Sequence, residues 1–316
     1  MTGTDKNQTR DFRTFHSRLV IHGAITLRTG LRVGAGRDTK AQSGADVPVV
    51  KLADGSPYIP GSSFKGAWRV FTESLLRGIA RPGQNLACIS VPRDETTTQP
   101  DVCLTSAAVT MLKNNDPSSQ AWSAVVGPKR AAEIEGLTSL DEVIRQLSCR
   151  ACRLFGAPWL AGKVWVKDLS LSADWRGLVR PAVRDGVAID RDKGTAADKQ
   201  KYTYEVVPEE TPFDLKIIVQ NPDDTELGLA WLGLMAFQRE MIQLGGARSR
   251  GLGWCELEIN WGQTRLIERE MLVDALFPDE EDGRLGGALG EQGPEKVAQW
   301  RSDFLQSIGR EGAYGN

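Results

Sequence analysis

Apolar and polar residues alternate and regroup along this chain in a way that predicts most of its regular elements. Leu19, Ile21, Ile25 and Leu27 alternate with His22, Thr26 and Arg28, the period of a half-buried strand over residues 18–28. After Pro60-Gly61-Ser62-Ser63 the period lengthens. Phe64, Trp68, Phe71 and Leu75 recur at helical spacing, with Lys65 and Arg69 one turn apart on another face. Val164, Val166, Leu169 and Leu171 predict a strand within residues 164–175, and residues 213–220 predict another. Asp224-Thr225-Glu226 reads as the cap of a helix running to about Leu244, with an apolar face through Leu227, Trp231, Leu234, Phe237 and Met241 and a stop at Gly245-Gly246. The strand after it places Cys255, Leu257, Ile259 and Trp261 on one face.

Two stretches stand outside this series. In residues 180–207, Val187 and Ile189, then Tyr202, Tyr204 and Val206, occupy alternate positions, which predicts a protruding two-stranded arm with too little core to fold alone. Residues 80–158 show no sustained period and read as an irregular insertion. With both set aside, the order strand, helix, strand, strand, helix, strand is the split β-α-β plan. The expected fold class is α+β, with a ferredoxin-like (RRM) core.

Length and charge refine this picture. A chain of 316 residues can bury a full core. No apolar run is long enough for a bilayer, since the longest candidate, Leu227 to Phe237, is short and carries Gly228 and Gly233. Residues 1–17 are polar and lack the apolar centre of a signal peptide, so a cytoplasmic location without membrane contact is expected. The net charge of −2 hides an asymmetry: the segment 268–316 holds 11 acidic and 5 basic residues, leaving the body mildly basic. The organisation expected is a polar extension at 1–17, a body at 18–267 with the insertion and the arm, and an acidic, partly flexible tail at 268–316. That tail reads as a solvated extension ending in a short helix near Glu295 to Ile308.

Several clusters carry candidate chemistry. Arg184, Arg191, Lys193, Lys199 and Lys201 around the arm suit phosphates, although a solvated hairpin with a charged rim has the same pattern. Gly245-Gly-Ala-Arg248-Ser249-Arg250-Gly251-Leu-Gly253 combines close backbone approach with cationic donors; its bland counterpart is a helix stop and a tight turn. Ser62, Ser63 and Lys65 lie at a helix start suited to an anion, but the P-loop spacing is missing and nucleotide hydrolysis is excluded. Cys88, Cys103 and the pair Cys149 and Cys152 fit a structural Zn2+ site of four thiolates, with free thiols as the alternative. His16 and His22 have no nucleophile motif beside them, and Cys255 reads as core. Asp46, by itself, is an ordinary loop aspartate.

Five of these segments, in order, resemble the RAMP superfamily. They are residues 44–51 (GADVPVVK), 58–69 (YIPGSSFKGAWR), 149–156 (CRACRLFG), 184–191 (RDGVAIDR) and 245–253 (GGARSRGLG). Within that superfamily the likeness is to backbone subunits of type III CRISPR effector complexes of the Csm and Cmr kind, the type III-D relatives among them. The resemblance implies an RRM core whose copies stack along a guide (CRISPR) RNA, and a thumb at 180–207 that disrupts the guide–target duplex at regular intervals. It further implies that Asp46 serves Mg2+- or Mn2+-dependent cutting of complementary target RNA. Ser62, Ser63, Lys65, Arg69, Arg184, Arg191, Arg248, Ser249 and Arg250 would hold RNA, and the partners would be other RAMP copies and the large and small effector subunits. Three rival readings remain at this level: a backbone subunit that does not cut, an endonuclease that processes the guide precursor, and a zinc-stabilised interaction protein without RNA.

Overall fold

The computed structural model describes residues 12–34, 45–82, 84–89, 103–104, 106–114, 132, 134–137, 139–189, 196–276 and 288–309. Along the chain these form β1 (Ser17–Leu27), α1 (Gly61–Ile79), α2 (Ser106–Asn114), α3 (Leu140–Leu147), α4 (Arg150–Phe155), β2 (Val164–Val166), β3 (Ala182–Ile189), β4 (Ala196–Val206), β5 (Pro212–Gln220), α5 (Asp224–Gln238), β6 (Cys255–Ile259), β7 (Arg265–Glu268), α6 (Leu272–Leu276) and α7 (Gly293–Ser307). The architecture is mixed α+β with antiparallel sheets. The main sheet runs β2-β5-β1-β6, and β7 pairs with the other end of β1. The second sheet is the hairpin β3-β4.

Alternation decides which sheet face is covered. Leu19, Ile21, Ile25 and Leu27 of β1 and Phe213, Leu215, Ile217 and Val219 of β5 are buried together with Phe64 and Trp68 of α1. Asp223 caps α5 through a reciprocal pair of hydrogen bonds with Glu226. Glu226 is itself buried against Lys163, and a charge placed there without its partner would be strongly destabilising. Because α5 packs against α1 and β6 on one side and α7 on the other, it is apolar nearly all round rather than along one stripe.

Four expectations change. The helix expected to reach Leu244 ends at Gln238: Glu240 has a φ of 53°, residue 243 then pairs with Trp254, and Met241 is exposed. The strand expected over 164–175 is regular only at β2, followed by single bridges at Leu169 and Leu171. The insertion 80–158 contains α2, α3 and α4, and Val109, Leu112, Val143, Ile144 and Leu147 form a small core of their own. The C-terminal segment is not a solvated extension over α7, whose Trp300 and Phe304 are buried against α5. The acidic run 279–282 lies outside the described residues.

The docking of α7 depends on a close approach. A Cβ at Gly228 would lie 2.0 Å from the Trp300 carbonyl oxygen, and Trp231 stacks on Trp261 and Trp300 at 5.3 and 6.5 Å. Gly228→Ala is therefore expected to cost about 1–3 kcal/mol by overpacking. The measurements are a lower melting temperature and faster proteolysis within 288–309; a wild-type melt and digestion pattern would contradict this docking. No described helix is long and apolar enough to cross a membrane.

Candidate functional site

A cleft of about 470 Å³ lies between the start of α1, the segment after β1 and the glycine-rich loop, with Arg32, Ser62, Ser63, Gln243, Gly246 and Arg248 among its walls. Its first wall is the N-terminus of α1. Gly61 sits so close to Val166 that a Cβ would lie 2.2 Å from its carbonyl oxygen, and the Gly61 N–H donates to Asp168 at 2.8 Å. That contact fixes the helix start while Ser62 and Ser63 face the cleft. The partial positive charge of a 19-residue helix favours an anion there.

The glycine-rich loop forms the second wall. Gly245, Ala247, Gly251 and Gly253 all have φ between 58° and 88°, so the chain folds tightly about a short turn at Arg248–Arg250. The Gly246 N–H donates to the Arg32 carbonyl at 2.8 Å and the Gly253 N–H to the Gly30 carbonyl at 2.9 Å. A Cβ at Gly245 would lie 2.3 Å from the Arg32 oxygen, so glycine is required for this strapping. Arg248, Ser249 and Arg250 are left exposed.

Arg32 is the residue that sequence reasoning missed. Its Nε is buried without a hydrogen-bond partner among the described residues, and its guanidinium lies 5.6 Å from the Tyr204 ring. Tyr204 neighbours Tyr202 at 5.8 Å, and Arg250 contacts Tyr202 through both its ring and its hydroxyl. The base of the hairpin thus meets the cleft through Tyr204 and Arg32, and meets the glycine-rich loop through Tyr202 and Arg250. The only sequence signal for Arg32 was its place between Gly30 and Gly34.

Lys65 and Arg69 belong elsewhere. The Lys65 Nζ donates to the Val164 carbonyl at 2.7 Å, and its pKa is lowered by burial and then by the neighbouring Arg69 charge. Arg69 donates to Glu73 at 2.6 Å and to the Gly156 carbonyl at 3.0 Å, with Cys152 Sγ 3.8 Å away. Neither lines the cleft; both tie α1 to the sheet and the insertion. Arg184 is exposed on β3 opposite Tyr204, and Arg191 lies outside the described residues, as do the side chains of Lys193, Lys199 and Lys201.

Asp46 is exposed beside β4. The segment carrying it adds to the hairpin edge, with the Val47 N–H donating to the Thr203 carbonyl at 3.1 Å and the Glu205 N–H to the Val47 carbonyl at 3.0 Å. The Asp46 Oδ2 accepts the Thr203 N–H at 2.7 Å and its hydroxyl at 3.1 Å.

The four cysteines of the insertion do converge. Cys88, Cys103, Cys149 and Cys152 are buried, and their Sγ atoms all lie within 4.8 Å of one another, an arrangement that can hold a metal ion. Cys149 caps α4 and its Sγ accepts the Cys152 N–H at 3.4 Å, while the Cys88 and Cys149 N–H groups donate to Cys149 and Cys103 at 3.3 and 3.0 Å. Hydrogen bonding from Cys103, with contributions from Cys152 and Cys88, holds Cys149 far below the usual thiol range and the Cys103 contact brings Cys88 down to about 7, while contact with Cys149 pushes Cys103 up and contact with Cys103 pushes Cys152 up. The thiolate is the form that ligates metals, and backbone N–H donors on Cys149 and Cys103 Sγ can support it.

Two relatives, both described as "CRISPR system Cms endoribonuclease Csm3", are similar over short stretches. The one from Methanothermobacter thermautotrophicus is 37% identical over 70 residues, covering 22% of this chain and 29% of the relative. The one from Methanocaldococcus jannaschii is 38% identical over 60 residues, covering 19% and 24%. The matched stretches thus span less than a third of either relative's length. A family model for the RAMP superfamily matches residues 24–256, from β1 through the cleft-forming α1 and glycine-rich loop into β6, and the chain belongs to that superfamily.

Proposed function

We propose that this chain is a guide-RNA-binding backbone subunit of a type III CRISPR effector complex that cuts complementary target RNA. The observation that carries the reading is the cleft, which brings Arg32, Ser62, Ser63 and Arg248 from three separate segments to one helix N-terminus beside the hairpin. The strand order β2-β5-β1-β6, with α1 and α5 in the two crossovers, supports a ferredoxin-like core, and β3-β4 serves as the thumb. The donors in the cleft suit phosphates and carry no base-reading geometry, so sequence choice falls to pairing between guide and target.

Cutting is assigned to Asp46. An exposed carboxylate is a fitting ligand for Mg2+ or Mn2+, which bind through one or two carboxylates together with substrate phosphates. Such an ion supplies neutralisation of charge at the scissile phosphate. Asp46 would orient the ribose 2′-hydroxyl next to a thumb-displaced nucleotide. Attack of that oxygen on phosphorus breaks the bond to the 5′ oxygen, leaving a 2′,3′-cyclic phosphate and a 5′-hydroxyl. The cysteine cluster is read as structural Zn2+: four thiolates complete a tetrahedron and leave no position for substrate.

The test is guide retention. An Arg32→Ala, Arg248→Ala chain, produced with its CRISPR array and companion subunits, is expected to lose about 10- to 100-fold in guide affinity and to flatten the salt dependence by about two phosphate contacts. Wild-type affinity and salt slope would contradict the assignment of the cleft.

A further inference from the structure

The hydrogen bonds around Asp46 show that its placement depends on the hairpin. Thr203 and Glu205 are two positions apart on β4, and both side chains reach the segment 46–51. Thr203 makes three hydrogen bonds with Asp46: its Oγ1 accepts the Asp46 N–H at 3.0 Å, and its own N–H and hydroxyl both donate to Oδ2. Glu205, buried, accepts the Val49 N–H at 3.0 Å and the Lys51 ammonium at 2.8 Å. Tyr202 and Tyr204, at the alternate positions, instead meet Arg250 and Arg32. One strand therefore meets Arg32 of the cleft and Arg250 of the glycine-rich loop with one set of side chains and holds the carboxylate with the other.

We propose that Thr203 is a positioning residue for target cleavage, fixing the Asp46 carboxylate to β4 so that the carboxylate moves with the thumb. This rests on the reading of Asp46 as the cleaving residue. Glu205 and Lys51 lock the register of the segment, and Thr203 sets the direction of Oδ2. The arrangement couples cutting to seating of the thumb in a guide–target duplex, because a displaced hairpin carries Asp46 with it.

The experiment compares Thr203→Val, Thr203→Ser and Asp46→Ala in the complex assembled with its companion subunits and guide, reading single-turnover cleavage, Mg2+ dependence, guide retention and target affinity. Thr203→Val is expected to cut about 10- to 100-fold more slowly and to need more Mg2+, with guide and target affinity unchanged, while Thr203→Ser stays within about threefold of wild type. Loss of guide or target affinity in proportion to the loss of cleavage would show a merely structural threonine and overturn the proposal. Wild-type cutting by Thr203→Val beside an inactive Asp46→Ala would also overturn it, yet leave the assignment of Asp46 standing. Wild-type cutting by Asp46→Ala would remove that assignment and this proposal with it.

Discussion

Replacing Asp46 with alanine in the assembled complex is expected to slow target-RNA cleavage by at least about 100-fold, the lower end of what a positioned acid–base group contributes. Guide retention and target affinity should not change, because Asp46 is exposed and the bonds it makes to Thr203 are not part of the cleft. The backbone ladder between Val47 and β4 survives the substitution, so the hairpin base keeps its register. Asp46→Asn is the sharper control. It keeps an oxygen acceptor for Thr203 but removes the charge, and it should be as inactive as alanine if the carboxylate binds a divalent ion.

The second large effect concerns the cysteine cluster. Metal analysis of the purified chain should find about one zinc per molecule, and Cys149→Ser should lose it together with several kcal/mol of stability, since structural zinc contributes of order 10 kcal/mol to small domains that it closes. Ligation requires thiolates, so zinc binding is expected to weaken as falling pH protonates them. The damage should spread beyond the insertion. Arg69 joins α1 to the cluster through Gly156 and Cys152, and α1 carries Ser62 and Ser63 at its start, so the zinc-free protein should also bind guide RNA more weakly. A metal-free wild-type chain, or a Cys149→Ser variant with an unchanged melt, would contradict the zinc reading.

How much of this was legible in the sequence follows from how local each signal is. The strands of the main sheet were readable because one covered face imposes a period of two on β1, β5 and β6. The end of α5 was not readable: Ile242 and Leu244 extend its apolar pattern, but they are buried by pairing beside Trp254 rather than by helix packing. In the insertion, Leu140, Val143, Ile144 and Leu147 stand at helical spacing, but the run is too short to stand out and the segment reads as irregular. The burial of α7 depends on Gly228, far away in sequence, and no local pattern reports that contact.

The candidate site divides in the same way. The convergence of four cysteines and the opening at Ser62, Ser63 and Arg248 follow from segments that carry their own chemistry. Lys65 and Arg69 look like Arg248 in one dimension. Only the packing of α1 against Val164 and Gly156, with the Arg69–Glu73 pair within the helix, shows that their charges are turned inward. Arg32 and Thr203 are the converse. Both are ordinary residues in sequence whose roles come from partners more than a hundred positions away.

The most direct test of the account is an electron cryo-microscopy structure of the complex with guide and target RNA. The account predicts guide phosphate oxygens within about 3 Å of the Arg32 and Arg248 guanidinium groups, with the hairpin at a disrupted base pair and Asp46 beside the adjacent target phosphate. A guide that instead crosses the open face of the sheet along His22 and Lys216, leaving the cleft between Arg32 and Arg248 without RNA, would contradict it.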